Sequence, residues 1–130
     1  MITLIPLNGN FNIFQLSDYG KIPPEIFKSE FYSITNTGEE ISIITDCKTK
    51  FPDIKSSEGW KCFRVEGILD FSLVGIINAI TAPLKDNKIT VNVLSTFNTD
   101  YIFVKNESFR TAIEVFRLSG SINVKEENII

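Results

Sequence analysis

The stretch from Val65 to Val104 constrains the fold of this chain more than any other. It opens Val65-Glu66-Gly67-Ile68-Leu69-Asp70-Phe71-Ser72-Leu73-Val74-Gly75 and closes Ile89-Thr90-Val91-Asn92-Val93-Leu94-Ser95-Thr96-Phe97-Asn98-Thr99-Asp100-Tyr101-Ile102-Phe103-Val104. Between them, Leu73, Ile76, Ile77, Ile80 and Leu84 fall at offsets 0, 3, 4, 7 and 11, one face of an α-helix. The order is therefore strand, polar turn, amphipathic helix from Ser72, and two strands joined by a short hairpin around Phe97–Thr99. Asp70 or Ser72 offers a side-chain cap to the helix. Pro83 lacks the amide that would bond to Ala79, so a kink or an early end near Thr81 is expected.

The flanking segments extend this pattern. Trp60–Gly67 alternates as a strand, with Phe63 and Val65 expected inward. A second helix is predicted from Asn106, a capping residue, with Phe109, Ala112, Ile113 and Phe116 on its apolar face and Gly120 ending it. Ser121–Val124 reads as a final strand and Lys125–Ile130 as a tail. The second half is thus β-α-β-β-α-β, the ferredoxin-like order of a four-stranded antiparallel sheet with both helices on one face.

The first half reads as short strands with weak helices. Ile2–Leu7 is extended and apolar, and Asn8-Gly9-Asn10 is a hairpin signal. Phe11–Leu16 alternates, with Phe11 and Ile13 on one face and Asn12, Phe14 and Leu16 on the other. Pro23–Phe27 suggests a single helical turn. Phe31–Asn36 and Glu40–Asp46 flank Thr37-Gly38-Glu39 as a second hairpin. Lys48–Ser57, with Pro52, is expected to be a loop with a helical turn at Lys48–Phe51.

Bulk properties bound the rest. In a chain of 130 residues, each half alone would bury only about 60% of its unfolded surface, so two halves packed together are the expectation. The net charge of −3, with Lys and Arg scattered singly, argues against a nucleic-acid partner. No apolar run approaches the roughly 18 residues of a membrane span, and Met1-Ile2-Thr3-Leu4-Ile5-Pro6 lacks the basic start of a secretory signal. The cytoplasm is the expected compartment. Cys47 and Cys62 are the only cysteines and there is no histidine, so buried free thiols are expected rather than a disulfide or a zinc site.

Residues 60–120 resemble the ACT domains, small regulatory modules, and most of all the two-module aspartate-kinase-like group to which cytosolic arginine sensors belong. The likeness rests on Val65-Glu66-Gly67-x-Leu69-Asp70-Phe71-Ser72-Leu73-x-Gly75, on Ala82-Pro83-Leu84, and on Ser95-Thr96-Phe97-x-Thr99-Asp100-Tyr101. It departs in having Phe71-Ser72 where a Pro-Gly pair is usual. The resemblance implies an α+β fold of tandem ferredoxin-like (βαββαβ) ACT modules, a divergent one at 1–59 and a second at 60–130. It also implies amino-acid binding at a module interface, homodimerisation, no cofactor and no catalysis.

A ligand site can be read beside this. A free amino acid carries a carboxylate and an ammonium. The orphan amides of Leu73, Val74 and Gly75 at the helix start suit the carboxylate, and Gly75 permits close approach. Asp100 and the Ser95–Phe97 backbone lie across the hairpin for the ammonium, and Glu66 is a candidate for a basic side chain. The expected ligand-binding set is Asp70, Phe71, Ser72, Leu73, Val74, Gly75, Ser95, Thr96, Phe97, Thr99 and Asp100. Each has a plainer role open to it: Asp70 and Ser72 as caps, Asn98-Thr99-Asp100 as hairpin chemistry, Gly75 as a packing glycine.

Two functions remain open. One is a non-catalytic sensor of an amino acid, acting through a separate downstream protein. The other is a ligand-free dimerisation or protein-interaction module. An enzyme is disfavoured, because the usual acid–base and metal-binding groups are not clustered.

Overall fold

The computed structural model describes residues 1–68 and 74–126. They form two compact units, Gly9–Trp60 in one, Met1–Asn8 with the residues described after Trp60 in the other. These units differ from the expected division at 1–59 and 60–130 in where they group the first eight residues. Their strand, β1 (Ile2–Pro6), pairs antiparallel with the later part of β5 (Lys55–Val65) and parallel with β8 (Ile122–Val124). Asn8-Gly9-Asn10 is a turn, but not a hairpin onto the next strand. A local turn signal does not choose the partner; here it lies about sixty positions along the chain, with Leu4 opposite Val65.

In the Gly9–Trp60 unit, β2 (Phe11–Leu16), β3 (Tyr32–Asn36), β4 (Ile41–Thr45) and the start of β5 pair antiparallel in the order β3-β4-β2-β5. The Thr37-Gly38-Glu39 hairpin forms as its turn residues predict. Asn36 Oδ1 accepts from the Gly38 amide at 2.9 Å and Thr37 Oγ1 from the Glu40 amide at 3.2 Å. Two 3₁₀ turns, Tyr19–Lys21 and Pro24–Lys28, stand where a ferredoxin-like fold would have a helix. The expected turn at Lys48–Phe51 is absent, and the strand begins at Lys55 because Gln15, Phe14 and Ile13 offer it a partner.

Strict alternation puts Phe11 and Phe14 on opposite faces, yet both are buried. The β2–β5 register slips between Phe11 and Ile13, and such a bulge re-aims the following side chains. Phe14 joins Ile22, Ile26, Ile41, Ile43 and Cys47 in this unit's core.

In the other unit the strand order is β6-β7-β5-β1-β8, with β6 (Val91–Ser95) and β7 (Asp100–Lys105) as the hairpin. Helices α1 (Ile76–Asp86) and α2 (Phe109–Leu118) pack on one face of it. Their Ile80, Leu84, Ala112, Ile113 and Phe116 meet Leu4, Phe63, Val65, Ile102, Val104, Ile122 and Val124 in one core. Phe63 is its centre, stacked on Phe109 (centroids 5.2 Å apart) and edge-on to Phe116 (5.3 Å). The α+β, ferredoxin-like reading holds, with the β1–β8 pair parallel and the β1–β5 and β6–β7 pairs antiparallel.

Both helices start later than their sequence patterns suggest. Gly75 occupies the N-cap of α1 with φ +85°, so the helix begins at Ile76, not at Ser72. A residue in the left-handed region cannot continue a right-handed helix. The expected caps Asp70 and Ser72 lie outside the described residues. Asn106 opens a short 3₁₀ turn, Asn106–Ser108, and Ser108 precedes α2. Nor does Pro83 end α1 near Thr81. The helix runs on to Asp86, with Leu84 fully buried.

Candidate functional site

The Ser95–Asp100 turn is built from four residues that act on one another. The β6–β7 ladder runs from Val91 opposite Val104 to Ser95 opposite Asp100. Beyond it, the Thr96 amide donates to the Thr99 carbonyl at 2.9 Å, and the Thr96 hydroxyl donates to the same oxygen at 3.1 Å. Ser95 Oγ donates to Asp100 Oδ1 at 2.5 Å, a charge-assisted bond that fixes the carboxylate. Phe97 stands at the tip, 80% exposed.

Thr99 plays a different part from the one its sequence position suggests. Its side chain is buried, and its hydroxyl donates to the Val65 carbonyl at 2.7 Å. It ties the hairpin to the end of β5 and does not point outward to a ligand. Sequence reasoning missed this role. The Thr96-x-x-Thr99 spacing, a hydroxyl at each end of a tight turn, was the available signal.

At the other end of the strand-to-helix segment lie Val74, 93% exposed, and Gly75. Asp70, Phe71, Ser72 and Leu73 of the expected set lie outside the described residues. Because Gly75 is the N-cap of α1 and the first intrahelical bond runs from the Ala79 amide to the Gly75 carbonyl at 2.9 Å, the amides with no partner inside the helix are those of Gly75, Ile76, Ile77 and Asn78. No side chain among the described residues caps them. They carry the positive end of an eleven-residue helix. Among the described residues nothing packs against Gly75, since a methyl group there would meet no described atom within 4 Å. Its backbone angle is what requires glycine.

Glu66 is engaged elsewhere. Its carboxylate pairs with Lys125, and its amide donates to the Thr3 carbonyl at 2.9 Å. Both halves of that ion pair are more than a third exposed, so it adds little stability.

Reactive groups are scarce. Cys47 and Cys62 are free and buried. Burial pushes the Cys62 thiol far above its ordinary range, which leaves it un-ionised and a poor nucleophile. Among the described residues no three metal-ligating side chains come together, and no helix is long and apolar enough to cross a membrane.

Residues 55–117 match the family model of the ACT domain. The chain is 33% identical over 102 residues to human cytosolic arginine sensor for mTORC1 subunit 1, a match spanning 72% of this chain and 31% of that protein. The chain thus spans about a third of the length of that curated relative. Among solved structures, protein Atu0741 of Agobacterium tumefaciens superimposes with a TM-score of 0.85 at 30% identity, covering 99% of this chain and 97% of that one. Aspartate kinase of Clostridium acetobutylicum superimposes with a TM-score of 0.62 at 12% identity, over 86% of this chain and 33% of the enzyme, which speaks to fold alone.

Proposed function

Because the chain belongs to the ACT domain family, we propose that it is a non-catalytic regulatory protein that binds a free amino acid beside the β6–β7 hairpin and the start of α1. The ligand carboxylate would take the first-turn amides of α1, and its ammonium would take Asp100, held in place by Ser95. The observation that supports this most is the Thr99–Val65 hydrogen bond, which couples the acidic hairpin to the strand feeding that helix. One relative is named an arginine sensor, which makes arginine the first ligand to try. The Gly9–Trp60 unit, with its β3-β4-β2-β5 order, would be a divergent ACT-like module. The protein would work in the cytoplasm as a homodimer, signalling to a separate protein.

Thermal melting against the twenty amino acids tests the reading. A ligand at a hundredfold excess over its Kd adds about 2.7 kcal/mol of stability, a clear rise in Tm. A flat response across the panel removes it. The alternative, a module that associates without a ligand, draws on β6, which among the described residues pairs with β7 alone. Such an edge offers unpaired backbone groups to another strand. Sedimentation would then show a dimer indifferent to every amino acid.

A further inference from the structure

The Thr99 hydroxyl lies one residue before β7 begins, where the backbone ladder gives way to the turn. There a side chain makes a bond to β5. Its acceptor, Val65, is the last residue of β5, and Glu66, Gly67 and the exposed Ile68 follow directly. Thr99 is buried, so its hydroxyl bonds away from water and is geometrically strict. The same residue's carbonyl receives both the amide and the hydroxyl of Thr96. Thr99 is therefore the joint through which the hairpin tip and the end of β5 hold each other.

We infer that Thr99 is a positioning residue: it sets the hairpin tip against the end of β5 and so presets the geometry of the amino-acid site, an inference that rests on the ligand reading above. Thr99 would touch no ligand. Asp100, Ser95 and Phe97 sit on the turn it anchors, while the chain leaving Val65 leads to Gly75 and α1. Removing the hydroxyl would release both segments without deleting any contact group.

The experiment compares Thr99→Val, which keeps the shape and loses the hydroxyl, with Thr99→Ser, which keeps the hydroxyl. Thr99→Ala serves if the valine variant does not fold. Hydrogen exchange on the ligand-free full chain is the first readout. Amides of Glu66–Ile68 and of Phe97–Asn98 should exchange about tenfold faster in Thr99→Val and as in the parent in Thr99→Ser. Unchanged exchange in either segment overturns the inference. The second readout is affinity for whichever amino acid raises the parent's Tm, expected to weaken about tenfold in Thr99→Val and to be restored in Thr99→Ser. Equal affinity in parent and Thr99→Val also overturns it. If the parent binds no amino acid, the ligand reading falls, and the exchange comparison still decides whether Thr99 couples the two segments.

Discussion

The backbone amide of Ile89 donates to the carbonyl of Leu84 at 2.9 Å, and both side chains are buried in the same core. With the Lys88 amide donating to Lys85 at 3.0 Å, this closes α1 in a Schellman motif. The left-handed position of that motif, usually glycine, is filled by Lys88 at φ +60°. Lys88→Gly should therefore stabilise the protein, by about 0.5–1 kcal/mol once the greater freedom of glycine in the unfolded chain is set against the relieved strain. Urea denaturation measures it, and a loss of stability would contradict this account of the helix end.

Gly75 presents the opposite case at the other end of the same helix. Its φ of +85° is costly for any residue with a Cβ, while space for a methyl group is not lacking among the described residues. Gly75→Ala should cost about 1–2 kcal/mol. Gly75→Asn should cost less, since asparagine tolerates the left-handed region. A larger cost for Asn than for Ala would point to crowding instead of backbone strain.

Phe63 holds the core of its unit through two ring contacts while fully buried. Phe63→Ala should cost about 3–5 kcal/mol, a large part of the stability of a typical small domain. Phe63→Leu should cost less, because it fills most of the space but loses the stacking with Phe109. Denaturant midpoints of the two variants check the order.

Cys62 couples stability to alkaline pH. Its thiol is raised in the folded state by burial, so the folded protein keeps the proton that the unfolded chain gives up above about pH 9. The unfolded state then binds fewer protons, and stability falls as pH rises beyond that point, with a limiting slope of about 1.4 kcal/mol per pH unit. Cys62→Ala should flatten this decline in a series of melts from pH 8 to pH 10.5. In the parent, a thiol reagent at pH 8 should label Cys62 only after denaturation.

Much of the fold is legible without coordinates where a segment's own period reports its burial. Ile76, Ile77, Ile80 and Leu84 on α1, and Phe109, Ala112, Ile113 and Phe116 on α2, are core residues announced by helical spacing. The Thr37-Gly38-Glu39 hairpin is likewise announced by its turn residues. The helix starts were misread because an apolar residue at Leu73 extends the period backwards, while the angle at Gly75 stops the helix. The Phe11–Phe14 face was misread because a bulge is defined by the partner strand. Of the site, the Ser95–Asp100 motif was visible as a string of residues, but the direction of each side chain was not.

Local composition, then, determined which segments become strands, helices and turns, and which residues could serve a zwitterion, because period and turn chemistry are written in neighbouring positions. Tertiary structure alone decided that β1 lies between β5 and β8, that Glu66 pairs with Lys125, and that the Thr99 hydroxyl turns inward to Val65. Each of these joins residues more than thirty positions apart. Such pairings depend on how whole elements pack, and no neighbouring residue records them.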